Sequence, residues 1–287
     1  MNGLTATEPA DLTRSDYERI RQLVYREAGI NLGDEKMQLV RARLGKRVRN
    51  GGFRSFREYY ESVERDSSGE ELCALLDAIS TNTTHLFREP RHFHILREAI
   101  HRWTSDPGWL RRNPVLRVWS AGCSSGEEPH SIAMAAYDAL RGHPQVELRI
   151  LATDLSTRML QKARTGLYEP HRLGTVPAEL RQHYFRIVEH QGERMARLSD
   201  ELQRCITFAR FNLMTANFPF RHGFHVIFCR NVMIYFDRPT QQGLVTRLAG
   251  QLLESGLLVI GHSESLNLIK HPLEYVEPTV YRKVSAS

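Results

Sequence analysis

The stretch VLRVWSAGCSSGEEPHSIAMA, Val115 to Ala135, constrains the fold more than any other, because an apolar run breaks into a glycine-containing loop and restarts as a helix. Val115, Leu116, Val118 and Trp119 read as a buried strand. Gly122 and Gly126 allow a sharp turn and a close backbone approach, and Pro129 suits the first turn of the following helix. Free amides at such a helix start face an anionic or strongly dipolar group, although the same pattern also serves plain packing. The next apolar run, Leu148 to Asp154 (LRILATD), ends in a carboxylate where a doubly wound sheet places the acid that grips ribose hydroxyls. An alternative role for Asp154 is a cap on the helix that begins just beyond it. The glycines do not follow G-x-G-x-x-G, so an adenosine ligand is expected rather than a dinucleotide.

The rest of the chain has two textures. From about Leu12 to Ile79 the apolar periodicity is helical, punctuated at Ser15, Gly29, Gly51 and Ser67, which predicts an all-helical N-terminal domain over residues 1–80. A linker over 81–96 leads into a second domain, 97–287. There strands alternate with helices: Val115 to Trp119, a helix from Glu128, Leu148 to Thr153, a helix from Thr157, Ile206 to Phe211, Val226 to Cys229, a helix from Pro239, and Leu257 to Ile260. That alternation predicts a parallel α/β sheet with helices on both faces. Val280 to Val284 is the expected antiparallel closing strand. Short polar and apolar alternations between about 168 and 204 predict a small inserted antiparallel β subdomain.

Composition narrows the setting. The 287 residues suffice for one large core and a small satellite domain. The N-terminus is polar and no apolar run approaches membrane-spanning length, so a cytoplasmic location without membrane insertion is expected. Cys73, Cys123, Cys205 and Cys229 lack C-x-x-C spacing and read as reduced thiols. Among the 13 histidines, no pair shows helical ligand spacing backed by a carboxylate pattern; His92 and His94 read as flanking a buried Phe93, and no metal is expected. Charge is uneven. Lys36, Arg41, Arg43, Lys46, Arg47, Arg49, Arg54 and Arg57 occur with no intervening acid, while Met37, Leu39, Val40, Leu44 and Val48 recur at helical spacing. The result is a helix with one packed face and one cationic stripe, ended by Gly51 and Gly52. Such a stripe is either a solvated face or a surface for nucleic acid or an acidic protein.

Several long stretches in a fixed order go further. WSAGCSSGEEPHSIAM, STNTTHLFREPRHF (Ser80 to Phe93), FNL (Phe211 to Leu213), VIFCRNVMIYFD (Val226 to Asp237) and GHSESL (Gly261 to Leu266) together resemble the chemotaxis receptor methyltransferases. The resemblance covers nearly the whole chain. It implies a class I S-adenosylmethionine-dependent methyltransferase fold, a Rossmann-like doubly wound sheet, that esterifies glutamate side chains on bacterial chemoreceptors and releases S-adenosylhomocysteine. Three positions depart from the family pattern: Leu86 stands for a second aromatic, His130 for a Tyr and His225 for an Asp. Cofactor positions implied by the resemblance are Asn82, Thr84 and Arg88, Glu128 with Glu127 as its competitor, Asp154 at the ribose, Asn212 and Leu213 near the adenine, and Arg230 and Asn231 lining the pocket floor, acting through side chains or backbone. Asn212 reads equally well as a turn residue at a strand end.

The resemblance also implies the partner: the cytoplasmic helical domain of chemoreceptors, met through the basic helix at about 36–50, with a receptor tail peptide at the β insert in some members. The enzyme is expected to act as a monomer and not on nucleic acid. A nucleic-acid amino-methylating enzyme would show an Asn/Asp-Pro-Pro-Tyr segment where RNVMIY stands. Methylation in a different signalling array, and a non-catalytic S-adenosylmethionine-binding module, are the alternatives. A glutamate carboxylate is already ionised near neutral pH, so methyl transfer to it needs no general base. Orientation is what remains to be supplied. Arg88, on the segment joining the domains, is the expected fork onto a carboxylate. Tyr235, after the strand VIFC at the carboxyl edge of the sheet, is expected to steer the incoming glutamate with its phenol. The plain alternatives are a surface ion pair with Glu89 for Arg88 and a core-edge ring with a hydrated hydroxyl for Tyr235.

Overall fold

The computed structural model describes residues 11–79 and 84–284. Contacts divide the chain into two compact units, residues 1–82 with 235–237, and residues 83–234 with 238–287. The first unit holds α1 (Arg14–Ala28), α2 (Met37–Asn50), α3 (Phe56–Arg65) and α4 (Glu70–Ile79). Its helices start and stop on local chemistry. The Thr13 hydroxyl accepts the Asp16 amide at the start of α1, Gly29 ends that helix at φ 69°, and the Ser55 hydroxyl accepts the Glu58 amide at the start of α3. Tyr17, Ile20, Val24, Val40, Leu44, Val48 and Tyr59 close the core. Residues 235–237 join this unit through an antiparallel bridge between Ile30 and Phe236 and a bond from the Asn31 amide to the Tyr235 carbonyl (2.7 Å).

The cationic helix is narrower than its sequence suggests. Val40, Leu44, Gly45 and Val48 are buried on α2, whereas Leu39, expected on the packed face, is exposed. Arg47 turns inward, bonding the Tyr59 hydroxyl (3.0 Å) and pairing with Glu71 (2.6 Å). Arg43 donates to the Ile79 carbonyl, Arg41 pairs with Asp11 and Arg57 with Glu61. Lys46 and Arg49 remain on the exposed face or its margin without an ion pair among the described residues.

The second unit runs α5 (Arg91–Thr104), α6 (Pro107–Arg112), β1 (Val115–Ala121), α7 (Glu127–Ala139), β2 (Glu147–Asp154), α8 (Thr157–Thr165), β3 (Leu167–Tyr168), α9 (Ala178–Tyr184), β4 (Phe185–His190), β5 (Glu193–Leu198), α10 (Asp200–Arg204), β6 (Ile206–Arg210), β7 (Phe224–Cys229), α11 (Arg238–Gln251), β8 (Leu252–Ile260), β9 (Leu273–Glu277) and β10 (Val280–Lys283). The main sheet is ordered β6-β2-β1-β7-β8-β10-β9. β6, β2, β1, β7 and β8 are parallel, and β10 is antiparallel to both of its neighbours. β7 is buried at all six positions, as a strand covered on both faces requires. Strand order reverses at β1, between β2 and β7, so the loop leaving β1 opens at the topological switch point where such sheets hold ligands. The insert is a separate antiparallel sheet, β3-β5-β4.

The closing element differs from expectation. A hairpin, β9 and β10, stands in place of a single strand, and Val284 lies beyond its end. β9 is an edge strand with three exposed positions, LEYVE, so it lacks the apolar run that marks its neighbours.

Three histidines are buried in this unit. His225 occupies its departing position well, accepting the Arg117 amide at Nδ1 (3.1 Å) and facing Asn113 Oδ1 from Nε2 (3.1 Å). His130 meets the Tyr168 hydroxyl through Nδ1. Burial depresses His92 and His130 to about 3 and His225 to about 4. Because these folded-state values lie below the unfolded imidazole value, unfolding takes up protons below about pH 6.5 and stability falls as the pH drops from there toward 4. Three such groups give a slope of up to about 4 kcal/mol per pH unit. Urea unfolding at pH 7.5 and pH 5 checks this, with His130→Gln expected to flatten the dependence.

Candidate active site

The glycine loop is fixed by the end of the neighbouring strand. The Gly122 and Cys123 amides donate to the Thr153 carbonyl (2.8 and 2.9 Å), and the Ser124 amide donates to Asp154 Oδ2 (2.8 Å). Gly122 and Gly126 take φ values of 87° and 96°, which side chains rarely adopt. The space left by their missing Cβ atoms is filled by protein: a Cβ on Gly122 would come within 2.5 Å of Val232, and one on Gly126 within 2.8 Å of Ala163. Asp154 is not the helix cap. That role belongs to Ser156, whose hydroxyl accepts the Met159 amide, while Asp154 Oδ1 accepts the Ser156 amide (2.9 Å). Its carboxylate therefore ties the loop after β1 to the loop after β2.

The two acids opening α7 diverge. Glu127 is fully buried, bonded by Ser125 Oγ (2.7 Å) and paired with Arg172 (2.7 Å), which also reaches the Thr84 carbonyl (3.1 Å). Glu128 accepts from Ser120 Oγ (2.7 Å) and pairs with Arg230 (3.1 Å), with 12% of its side chain exposed. Burial raises the Glu128 carboxyl above its ordinary value against the opposing pull of Arg230 and Ser120. A second cation brought against this carboxylate would relieve that penalty.

Arg88 sits on a tightly held segment. Leu86 and Phe87 are buried in the core of this unit, the Phe87 amide donates to Ser131 Oγ (2.8 Å), and Thr175 Oγ1 donates to the Leu86 carbonyl (2.6 Å). Both residues flanking Arg88 are left-handed, Phe87 at φ 53° and Glu89 at φ 59°. A bulky aromatic there is a strained conformation that the surrounding contacts must enforce. The Arg88 side chain stays one-third exposed, 4.0 Å from Glu89.

Arg230 acts through its side chain. It is 2% exposed, pairs with Glu128 and with Glu89 (3.0 Å), donates to the Arg88 carbonyl, and lies over the Phe93 ring. It thus joins the β7 end, the start of α7 and the Arg88 segment. Asn231 follows at φ 58°, and Glu264, a residue without an assigned role in the sequence reading, accepts four amides from Asn231, Val232, Met233 and Gly261 (2.6 to 2.9 Å). Asn212 makes a turn, its Oδ1 accepting the Met214 amide (2.9 Å), and the Leu213 carbonyl accepts from Arg247 (2.9 Å). Glu128, Asp154, Arg88, Arg230 and Asn231 all belong to the second unit, whereas Tyr235 belongs to the first. Asn82 lies outside the described residues.

Comparison with known proteins decides among the possible adenosine users. Residues 82–282 match the model of the CheR methyltransferase, SAM binding domain, and residues 15–80 match the CheR methyltransferase, all-alpha domain. The chain belongs to the CheR methyltransferase family. Similar proteins include a chemotaxis protein methyltransferase of Borreliella burgdorferi (37% identical, covering 95% of each chain) and a probable one of Rhizobium etli (40%, covering 91% of this chain and 96% of that one). Another is the chemotaxis protein methyltransferase of Escherichia coli, 37% identical over 97% of this chain and 94% of that one. The chain is accordingly an S-adenosylmethionine-dependent methyltransferase of chemotaxis, on the doubly wound fold with a helical N-terminal domain and a small antiparallel sheet. Its residues fit a cationic nucleoside cofactor in charge: a carboxylate, Asp154, stands at the end of β2, and a second, the largely buried Glu128, opens α7. Among the described residues no helix is long and apolar enough to cross a membrane.

Proposed function

We propose that this CheR-family enzyme converts glutamate side chains in the helical domain of chemoreceptors to methyl esters, with Arg88 and Tyr235 orienting the reacting carboxylate. The observation that carries the reading is the hold on Arg88: a partly exposed guanidinium between two left-handed residues, on a segment anchored to α7 and to Arg230. Backbone strain spent to place one cation is a signature of a functional contact. When bound, S-adenosylmethionine supplies a methyl group activated by its sulfonium. Asp154 receives the ribose hydroxyls, Glu128 the methionyl ammonium, and Asn212 with Leu213 the adenine. Thr84, Asn82 and Asn231 complete the binding set. Arg88 forks onto a carboxylate with modest, charge-assisted bonds, which orients it without quenching it as a nucleophile. The Tyr235 phenol donates one further bond to the glutamate.

Recognition of the receptor falls to the exposed face of α2, whose Lys46 and Arg49 attract an acidic helical surface. A tail peptide, where the receptor has one, adds along β4, the outer strand of the insert, whose far edge has no strand partner among the described residues. The test is incubation with methyl-labelled cofactor and receptor-containing membranes. A base-labile label on a receptor-sized band is expected; label stable to base, or on no receptor, contradicts the reading. In the same assay Lys46→Glu with Arg49→Glu is expected to lower kcat/KM about tenfold or more at low salt, with wild-type activity falling as salt is added. Arg47→Glu is expected to destabilise the first unit instead, because it breaks the pair with Glu71.

A further inference from the structure

The fold assembles one cluster that the histidine spacing in the sequence does not reveal. Glu89 Oε2 lies 3.4 Å from His92 Nδ1 and 3.9 Å from His262 Nε2, and the three atoms fall within 4.8 Å of one another. The first of these separations is what two donors show when they share a metal ion at about 2.0–2.1 Å from each in a tetrahedral arrangement. Glu89 and His92 are three residues apart at the start of α5, and His262 arrives from the loop after β8, so the site is written in two distant pieces.

The hydrogen bonds around His92 show which of its nitrogens faces this cluster. His92 Nε2 is 2.6 Å from Thr279 Oγ1, which also lies against the Pro278 carbonyl. The Thr279 hydroxyl is thus the hydrogen-bond partner of Nε2, and the ring nitrogen turned toward the cluster is Nδ1. Nδ1 is buried, makes no hydrogen bond and faces the Glu89 carboxylate oxygen at 3.4 Å. In the tautomer protonated at Nε2, Nδ1 and the carboxylate oxygen are two lone-pair donors at a separation that one cation between them would satisfy. An imidazole that donates one ring N–H to an oxygen while its other nitrogen meets the ion is the arrangement that orients histidine ligands in metal sites. The ring is neutral as ligation requires, and His92 is only 1% exposed, so its direction is fixed by packing.

The geometry points to a divalent transition-metal site of the zinc class formed by Glu89 Oε2, His92 Nδ1 and His262 Nε2. His262 is 59% exposed on its side chain and supplies both the entry route and the small rotation that brings its Nε2 onto the ion. Its backbone amide already touches the Glu89 carboxylate (3.3 Å to each oxygen), holding the loop in register with α5. Two histidines and one carboxylate leave a fourth position open to solvent or to another ligand. Arg230 shares Glu89 Oε2 at 3.0 Å, and Arg88 stands 4.0 Å from Oε1. The ion shares one carboxylate oxygen with Arg230, so its binding is weaker than at a site free of that cation.

Untagged full-length protein titrated calorimetrically with Zn²⁺, and spectroscopically with Co²⁺ as a coordination probe, tests this directly. The expected result is one ion per chain at this site, with an intense visible Co²⁺ band of low coordination number. Affinity is expected to fall at least tenfold in His262→Ala, an exposed position whose replacement leaves the core intact, and to hold in His94→Ala, an exposed histidine on the same helix. Thr279→Val, which removes the hydroxyl partner of His92 Nε2 without touching a ligand, is expected to weaken binding about 10- to 100-fold. Absence of binding by the wild type at millimolar Zn²⁺, or affinity in His262→Ala within threefold of wild type, overturns the assignment.

Discussion

Replacing Arg88 with alanine is expected to lower methyl transfer to receptor glutamates about 100-fold or more while leaving the melting temperature within a few degrees of wild type. The side chain is one-third exposed and its carboxylate neighbour Glu89 is held independently by Arg230, so little packing is lost. What disappears is a charge-assisted fork worth about 1.5 to 3 kcal/mol, together with the alignment it imposes on the reacting groups. Arg88→Lys separates these two contributions, because it keeps the charge and loses the fork. If Arg88 orients the substrate carboxylate, the lysine variant loses kcat with little change in the KM for S-adenosylmethionine. If it grips the cofactor carboxylate, that KM rises. Near-normal turnover in Arg88→Ala would remove Arg88 from the reaction and leave the strain at Phe87 and Glu89 without a functional reason.

Arg230→Met is expected to give the second large effect, and on stability before activity. The arginine is buried between two carboxylates, Glu89 and Glu128, with a phenylalanine ring against it. Removing the cation leaves both acids partly or wholly desolvated without their partner, and breaking such a pair from one side costs about 3 to 5 kcal/mol. For a unit of this size that corresponds to a fall of roughly 6 to 20 °C in melting temperature. A triple variant that also carries Glu89→Gln and Glu128→Gln is expected to recover much of the loss in stability without recovering activity, since the charges are then absent together. Scanning calorimetry on the three proteins reads this. Equal melting temperatures for Arg230→Met and wild type would mean that the hub is not what holds the Arg88 segment to the sheet.

The sequence was most legible where one element dictated the next. The apolar run at Val115, the glycines at 122 and 126 and the acid at 154 define a strand, a turn that needs positive φ and a second strand end, and all three occur as expected. Helical periodicity likewise delimits the four helices of the first unit. Edge strands were less legible, because β9 alternates exposed and partly buried residues and carries no apolar run. The destination of a side chain was less legible still. Arg47 and Arg49 are equivalent charges in the sequence, yet the first is tied to Glu71 and Tyr59 inside the unit. Glu127 and Glu128 are adjacent and chemically identical, and only the positions of Arg172 and Arg230 separate the buried structural acid from the partly exposed one. The resemblance of FREP and GHSESL to family motifs marked those stretches without assigning Glu89 or Glu264 a task. Glu89 meets the His262 amide 173 residues away, and three of the four amides on Glu264 come from 31 to 33 residues away, beyond the reach of any local pattern.

Calorimetric titration of S-adenosylhomocysteine into wild type and Asp154→Ala tests the central claim most directly, that the β1 loop and the β2 acid together form the cofactor cradle. One site per chain in the wild type is expected, with affinity lowered about 10- to 150-fold in the variant, as the loss of charged hydrogen bonds to ribose implies. Equal affinities in the two proteins, with the variant folded, would place the nucleoside elsewhere and contradict the account.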